Sequence, residues 1–211
     1  MTFRPPSREQ RQSLAALVEK YHGQIAEGGV QDYLTSRGIT RRAIDRFKLG
    51  SDGTRLVIPY LTPAGPWQFK YRCVKDHNCK DEHGGKYAYD DGAQQLLYNT
   101  QTLLTADRVV IVEGELDAIS VEMAGAPAVA YPGVTNWQKW FAWCFDSVEE
   151  ITVVADGDEP GEKAATSVAD SLRSRLPDVD VRRVVLPAGE DSNSFINNEG
   201  QLAYLERIGF I

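Results

Sequence analysis

From Arg108 to Leu186 the sequence alternates between short apolar runs and longer segments with helical periodicity. Strands that alternate with helices form a parallel sheet covered by helices, because successive parallel strands need a long crossover connection. This alternation therefore predicts an α/β fold for the second half of the chain. The predicted elements, in chain order, are strand Val109–Val112, helix Asp117–Ala124, strand Ala128–Tyr131, helix Trp137–Phe145, strand Ile151–Ala155, helix Gly161–Arg175 and strand Val181–Leu186.

The first half of the chain has a different pattern. Residues 7–29 are typical of an amphipathic helix, with Ser7 and Gln10 placed to form a capping box at its start. Two short helices follow, and then near-alternating apolar residues over 55–61 and 67–74 predict two strands. Residues 75–92 form a polar loop in this interpretation. We therefore predict a mixed α/β lobe over residues 1–104 and a separate α/β domain over residues 105–211.

The charge of the chain changes at the same place. Residues 1–104 carry 15 Lys and Arg against 11 Asp and Glu, whereas residues 105–211 carry 8 against 19, so the net charges are +4 and −11. Such asymmetry indicates two lobes with different partners.

The sequence has no apolar run of membrane-spanning length, so we expect no membrane contact. Three cysteines, an odd number, favour a reducing cytoplasm over a disulfide framework.

Two of the predicted strands end in acidic residues. Glu113 follows the first strand of the second half, and Asp156 and Asp158 follow the third. If these strands are neighbours, their carboxylates converge, because functional groups gather at the carboxyl ends of parallel strands. Oxygen ligands without His or Cys suit Mg²⁺ or Mn²⁺. Helix capping is the alternative interpretation; it explains a single acid such as Asp117, but it explains two acidic strand ends less well.

At this point the sequence resembles a known family. The segments VVIVEGELDAIS and VVADGDEPGEKAA resemble the Toprim domain shared by bacterial-type primases, topoisomerases and some nucleases. Around them, YLTSRGITRRAIDRFKLG, RLVIPY, KYRCV, GGKYAY, LLYNTQTL and LPAGEDSNSFINNEG occur in the order found in the catalytic core of bacterial, DnaG-type DNA primases. The resemblance covers roughly residues 12–208. It implies a Toprim domain, a parallel sheet flanked by helices, preceded by the primase amino-terminal lobe.

The resemblance also implies roles for individual acids. Glu113, Asp156 and Asp158 match the catalytic and principal metal-binding acids of the family, which use divalent metal for phosphoryl chemistry. Asp117 and Asp191 match supporting acids of the same metal site. The expected cofactor is therefore Mg²⁺ or Mn²⁺.

Basic residues of the first lobe match the family as well. Arg72 and Lys86 match residues that face the nucleotide and the template, and Arg37 matches another. The sequence departs from the family at Asn193, where a further Asp is usual, and this weakens the expectation of a second metal ion. The segment YPGVTNW is closer to phage helicase-primases than to chromosomal primases.

The function implied by the resemblance is the synthesis of short RNA primers from NTPs on a single-stranded DNA template. The zinc module and the helicase-docking domain of bacterial primases are not found in this sequence, so the expected partners are a replicative helicase, a separate zinc-binding module, or both. We expect a monomer in the bacterial cytoplasm, with a phage or mobile element as its source.

Two alternatives remain: a Toprim nuclease that uses water as nucleophile, and a primase remnant that serves as a replisome adaptor or single-strand binder.

One cluster of potential zinc ligands lies in the polar loop. Cys73, His77, Cys79 and His83 fall within eleven residues. Zinc sites usually place paired ligands on two separate arms, whereas here the ligand types alternate within one loop that also contains several acids. The sequence therefore predicts a solvated loop and no structural zinc.

Overall fold

The computed structural model describes residues 4–83 and 85–211, and the chain divides into two compact units, Met1–Gln94 and Gln95–Ile211. Each unit contains its own four-stranded sheet. The charge pattern predicts a boundary after residue 104, but Leu97 and Leu103 are buried in the core of the second unit. None of the helices in the described ranges combines the length and the apolar character that a membrane span requires.

The first unit is built on an antiparallel sheet with strand order β1-β2-β3-β4. The capping box predicted at Ser7 is confirmed: the Gln10 N–H donates to Ser7 Oγ (3.2 Å), and the Ser7 N–H donates to Gln10 Oε1 (2.7 Å). The elements of this unit are α1 (Arg8–Gly23), a 3₁₀ turn (Glu27–Gly29), α2 (Val30–Ser36), α3 (Arg41–Arg46), β1 (Gly50–Ser51), β2 (Arg55–Thr62), β3 (Gly65–Cys73), α4 (Cys79–His83) and β4 (Tyr87–Tyr89).

Strand β3 separates apolar from basic side chains with a period of two residues. Phe69 and Tyr71 belong to a small core cluster with Val18 of α1. Because successive side chains of a strand point to opposite faces, Lys70 and Arg72 lie on the other face of the sheet. Strand β4 pairs with this part of β3, so the basic face also carries residues of β4.

The second unit confirms the predicted α/β class, since its four strands are all parallel, in the order β6-β5-β7-β8. The segment predicted as a helix over Trp137–Phe145 is a 3₁₀ helix, consistent with the poor helix propensity of its bulky aromatic residues. The elements are a 3₁₀ helix (Thr100–Leu104), β5 (Arg108–Val112), α5 (Glu115–Ala124), β6 (Ala128–Ala130), a 3₁₀ helix (Lys139–Phe145), β7 (Glu150–Ala155), α6 (Glu159–Arg175), β8 (Asp180–Val185), α7 (Ser192–Glu199) and α8 (Gln201–Arg207).

Helix α6 packs on the sheet through a narrow stripe of mostly small side chains. They recur at the spacing that puts residues on one face of a helix, and small side chains let a helix approach a sheet closely. The buried residues of this stripe are Ala164, Ala165, Val168, Ala169 and Leu172. This packing fixes the start of α6 at the end of β7, where the acidic residues lie.

The glycine between Asp156 and Asp158 is required by a close backbone contact. A Cβ atom added to Gly157 would lie 1.8 Å from the carbonyl oxygen of Pro187, which is impossible without a shift of the backbone. The Gly157 N–H also donates to the carbonyl of Glu190 (2.8 Å). The loop after β7 is therefore tied to the loop after β8, and only glycine fits between the two acids.

We predict that Gly157→Ala lowers the free energy of unfolding by about 1–3 kcal/mol or more, the usual cost of overpacking. Gly23→Ala is the matched control, because Gly23 has open space at its Cβ position and lies at the end of α1. It should be neutral or slightly stabilising, since Ala is the better helix former. Urea denaturation of both variants measures the difference, and equal stabilities would contradict the close contact.

Candidate active site

The parallel pairing of β5 with β7 brings the acidic strand ends to one edge of the sheet. The two strands are hydrogen-bonded neighbours, with Ile111 opposite Val153. Glu113 follows the last residue of β5, and Asp156 follows the last residue of β7. The condition for convergence, that the two strands are neighbours, is therefore met. We call Glu113, Asp117, Asp156, Asp158 and Asp191 the acidic cluster.

Asp156 lies at the electrostatic centre of the acidic cluster. Its pKa is raised from 3.8 to about 8, first by burial and then by the negative charges of the other four acids, in the order Asp117, Glu113, Asp191 and Asp158. A carboxylate that loses hydration among like charges favours its protonated form. The structure thus brings the other four predicted acids within electrostatic range of Asp156.

Two members of the acidic cluster are oriented by capping helices. Asp158 is the N-cap of α6 and accepts a hydrogen bond from the Gly161 N–H (2.6 Å). Asp191 is the N-cap of α7 and accepts from the Ser194 N–H (2.6 Å). Helix capping and membership of the cluster are therefore compatible, because a cap fixes the direction of the carboxylate without neutralising its charge.

Asn193, which departs from the family pattern, has a structural position. It is buried, its backbone N–H donates to Asp117 Oδ1 (2.9 Å), and its side-chain Nδ2 donates to Ser120 Oγ (2.7 Å). Both contacts join α7 to α5. Asp117 is held at the start of α5, where a Cβ atom on Gly114 would lie only 2.3 Å from its Oδ2. Asn193 therefore acts on the acidic cluster through Asp117.

Sequence reasoning missed Tyr131 as a part of this site. Tyr131 is buried, and burial followed by the charges of Glu113 and Asp156 raises the pKa of its hydroxyl above the ordinary value. It follows β6, the neighbour of β5 in the sheet, so it lies at the same edge as the acids. The available signal in the sequence was its place at the end of a third predicted strand, Ala128–Tyr131. An aromatic residue in that position has no obvious metal chemistry.

The acidic cluster has the composition of a site for a hard divalent cation. Its donors are all carboxylate oxygens, and a cation would remove the repulsion that raises the pKa of Asp156. Ligand oxygens around a bound Mg²⁺ lie about 3 Å apart. Among the residues that the structure describes, no three acidic side chains bring oxygens within 4.8 Å of one another. The cluster is therefore more open than a filled site, as expected for carboxylates that repel one another.

The predicted basic residues converge in the first unit. The amino group of Lys86 is partly desolvated, although the residue as a whole is exposed. Desolvation and then the positive charges of Arg72 and Arg37 lower the pKa of Lys86. The three cations therefore lie close enough to repel one another, which favours an anion between them.

Further residues of the same face were not predicted. Lys70 Nζ lies 4.4 Å from the ring centroid of Tyr87 and 5.7 Å from that of Tyr89, and both tyrosines are exposed. The Arg72 guanidinium lies 5.4 Å from the Tyr87 ring, and its Nε makes no hydrogen bond within the described part of the chain. We call Arg37, Lys70, Arg72, Lys86 and Tyr87 the basic–aromatic face. Lys70 and Tyr87 join the predicted residues of this face through the pairing of β3 with β4.

We predict that the metal-free chain loses stability as the pH rises from about 4 to about 8. In this window the folded chain retains the Asp156 proton, whose pKa is about 8, while the unfolded chain releases it near 3.8. The folded state therefore binds more protons, and its stability falls with pH. Melting temperature measured against pH in a chelator should fall less for Asp156→Asn than for the unchanged chain. Asp178→Asn, an exposed control, should follow the unchanged chain, and parallel curves for all three would refute the assignment.

Comparison with known proteins identifies relatives of both units. Residues 110–196 match the Toprim-like family. The Gene 57 protein of Mycobacterium phage D29 is 37% identical over 154 residues, which cover 72% of this chain and 97% of the phage protein. The DNA primase of Pseudomonas aeruginosa is 36% identical over 104 residues, which cover 48% of this chain. The matched residues span only 16% of the length of that primase.

The fold extends this similarity over nearly the whole chain. A DnaG primase catalytic domain bound to single-stranded DNA matches with a TM-score of 0.76, and the match covers 97% of this chain and 83% of that domain. At 20% identity this likeness shows the fold alone. The chain therefore belongs to the family of the phage Gene 57 protein, with a Toprim-like domain over residues 110–196 and the fold of DnaG primase catalytic domains.

Proposed function

We propose that this chain synthesises RNA primers on single-stranded DNA and that the acidic cluster is its catalytic centre. The observation that carries the proposal is the convergence of the acidic cluster around the buried Asp156. Burial, and then the charges of the other four acids, raise the pKa of Asp156 to about 8. Such a cluster destabilises the folded chain unless it binds a cation, and perturbed acids of this kind gather at functional sites. Relatives with this fold are primases, which supports nucleotidyl transfer as the reaction.

In the proposed reaction, the 3′-hydroxyl of the growing primer attacks the α-phosphate of an incoming NTP and pyrophosphate leaves. Mg²⁺ or Mn²⁺, when bound by Glu113, Asp156 and Asp158, supplies charge neutralisation for the phosphates and stabilises the charge that develops on the transferred group. The acids themselves must be deprotonated to bind it. Asp158 and Asp191 hold their directions through the caps of α6 and α7, and the backbone of Asn193 holds Asp117.

The basic–aromatic face is proposed to bind the phosphates of the template or of the nucleotide. Arg72 and Lys86 supply positive charge, and the exposed ring of Tyr87 offers a surface on which a base can stack. Positive charge beside exposed aromatic rings is the usual composition of surfaces that bind single-stranded nucleic acid. A nuclease of single-stranded DNA would use such a surface as well. The fold of the first unit is what favours priming over the nuclease alternative, because the likeness to a DnaG primase catalytic domain covers 97% of this chain.

Partners are proposed from the relatives. The chain spans nearly all of a phage protein but only a small part of a bacterial primase, so functions of that larger primase reside outside the matched residues. We propose that a replicative helicase or a separate zinc-bearing template reader works with this chain in a phage-type replication system. Priming by the chain alone should then be weak, and it should rise when such a partner is added.

Neutral replacement of single acids should abolish primer synthesis. For Asp156→Asn and Asp158→Asn we predict a loss of about 10²-fold or more, the size expected when groups that stabilise transition-state charge are removed. The assay uses single-stranded DNA, labelled NTPs and Mg²⁺ or Mn²⁺, and it is scored for primers and for cut DNA together. Asp178→Asn is the matched control and should retain full activity, because Asp178 is exposed and lies between α6 and β8.

Three outcomes of this assay would contradict the proposal. Full activity in Asp156→Asn and Asp158→Asn would remove the acidic cluster from catalysis. Cut DNA without primers would assign the nuclease reaction. If the chain binds DNA but yields neither primers nor cut DNA with any of the tested partners, the adaptor role is assigned.

Loss of the Lys86 charge should weaken binding of single-stranded DNA. Each phosphate contact contributes about 0.7 to the slope of log affinity against log salt for single strands. Lys86→Ala should therefore bind more weakly at low salt and lose about 0.7 of that slope, as measured by fluorescence anisotropy. Lys20→Ala, an exposed lysine of α1, is the control and should change neither quantity. An unchanged slope for Lys86→Ala would place the DNA elsewhere.

A further inference from the structure

We propose that Cys73, His77 and Cys79 form a zinc-binding site in the loop between β3 and β4. The sequence predicts a solvated loop without zinc, because the ligand types alternate within one segment. In the structure, one ligand atom from each of the three residues lies within 4.8 Å of the other two. The site is made of different residues from the acidic cluster, and it belongs to the first unit.

The distances between these ligand atoms suit a tetrahedral zinc ion. With zinc–sulfur and zinc–nitrogen distances of about 2.3 and 2.0–2.1 Å, the ligand atoms of such a site lie about 3.5–3.8 Å apart. Cys73 Sγ lies 3.1 Å from His77 Nε2, and the whole group spans no more than 4.8 Å. Shifts of about 1 Å or less, within reach of side-chain rotation, therefore convert the observed arrangement into a coordination shell.

The orientation of His77 is set by a second contact. Its Nδ1 lies 2.7 Å from Glu82 Oε2, while its Nε2 faces Cys73 Sγ. Histidines that bind metal through one ring nitrogen usually donate the other N–H to a carboxylate, which fixes the tautomer and increases the basicity of the ligand. Glu82 thus occupies the position of a carboxylate that supports a metal-bound histidine.

The loop holds the three ligands on an ordered frame. Cys73 is the buried last residue of β3, and its N–H donates to the carbonyl of Lys86 (2.9 Å), which closes the base of the loop. Cys79 begins α4, and the carbonyl of Asn78 accepts the N–H groups of Asp81 (3.1 Å) and Glu82 (3.2 Å) in its first turn. The side chain of His83, the fourth residue of the sequence cluster, lies outside the described part of the chain.

Two thiolates and an imidazole select zinc over Mg²⁺ or Mn²⁺, which prefer oxygen ligands. Bound zinc would tie the end of β3 to α4 and hold the loop that returns to Lys86. It would thereby keep Lys86 beside Arg72 in the basic–aromatic face. Zinc would supply a cross-link for a loop that contains only short elements of secondary structure.

The test measures metal in the unchanged chain. Purified under reducing conditions and treated with one equivalent of Zn²⁺ in excess Mg²⁺, the chain should retain one zinc per molecule after gel filtration, as measured by mass spectrometry of the metal. Replacement with Co²⁺ should give the near-ultraviolet absorption of thiolate-to-cobalt charge transfer. Zinc should also raise the melting temperature, because it binds the folded state. Excess Mg²⁺ competes for the carboxylates, and the charge-transfer band reports only on cobalt that is bound to a thiolate.

Variants separate this site from adventitious binding. Cys79→Ser and His77→Asn should lose the retained zinc, the cobalt band and the zinc-dependent rise in melting temperature. Cys144→Ser, which removes the cysteine of the second unit, is the matched control and should keep all three. Glu82→Gln should retain the site with an affinity lower by about 10–100-fold, the usual effect of removing a carboxylate behind a histidine ligand. Circular dichroism checks that each variant folds.

The proposal is overturned if the unchanged chain retains no zinc and shows no cobalt–thiolate band under reducing conditions. It is also overturned if Cys79→Ser keeps the same band and stoichiometry, or if Cys144→Ser loses them. None of these measurements depends on primer synthesis, so the zinc site and the proposed primase activity stand or fall separately.

Discussion

The parallel pairing of β5 with β7 is the interaction on which the acidic cluster depends. It puts Glu113 and Asp156 at one edge of the sheet, where repulsion between them opposes folding. The neighbouring elements hold the acids in place in spite of that repulsion. Gly157 allows one loop to pass against the next, and the caps of α6 and α7 fix two further carboxylates. An arrangement that costs stability in the absence of a cation is the physical reason to propose metal binding here.

The first unit uses the opposite charge in the same way. Desolvation, and then the positive charges of Arg72 and Arg37, lower the pKa of Lys86. The alternation of β3 keeps its basic side chains away from the apolar core beside α1. Each unit thus concentrates one sign of charge on a small area. A divalent cation and a polyanion are the ligands that relieve these two repulsions, and the proposed primer synthesis uses both.

The proposed zinc site adds a different kind of constraint. The acidic cluster is preorganised by a sheet and by helix caps, whereas the loop between β3 and β4 has only short elements and few apolar residues. A bound metal ion is the usual means by which a small polar segment reaches a defined structure, because binding energy then replaces the missing core. Lys86 lies at the end of this loop, so an ordered loop would fix the position of Lys86 in the basic–aromatic face.

The sequence by itself determined the α/β class, the positions of most strands and helices, and the acids at two strand ends, because these depend on local periodicity and on neighbours along the chain. It did not predict features that depend on contacts between residues distant in the sequence. The strand order that puts Tyr131 beside Glu113, the contact of Gly157 with Pro187 and the tyrosines that β4 lays against Lys70 required the tertiary structure. Spacing along the chain predicted a solvated loop around Cys73, yet three ligand atoms meet there. The reason is physical: pKa shifts and metal coordination depend on distances of a few ångströms, which folding sets and linear spacing does not.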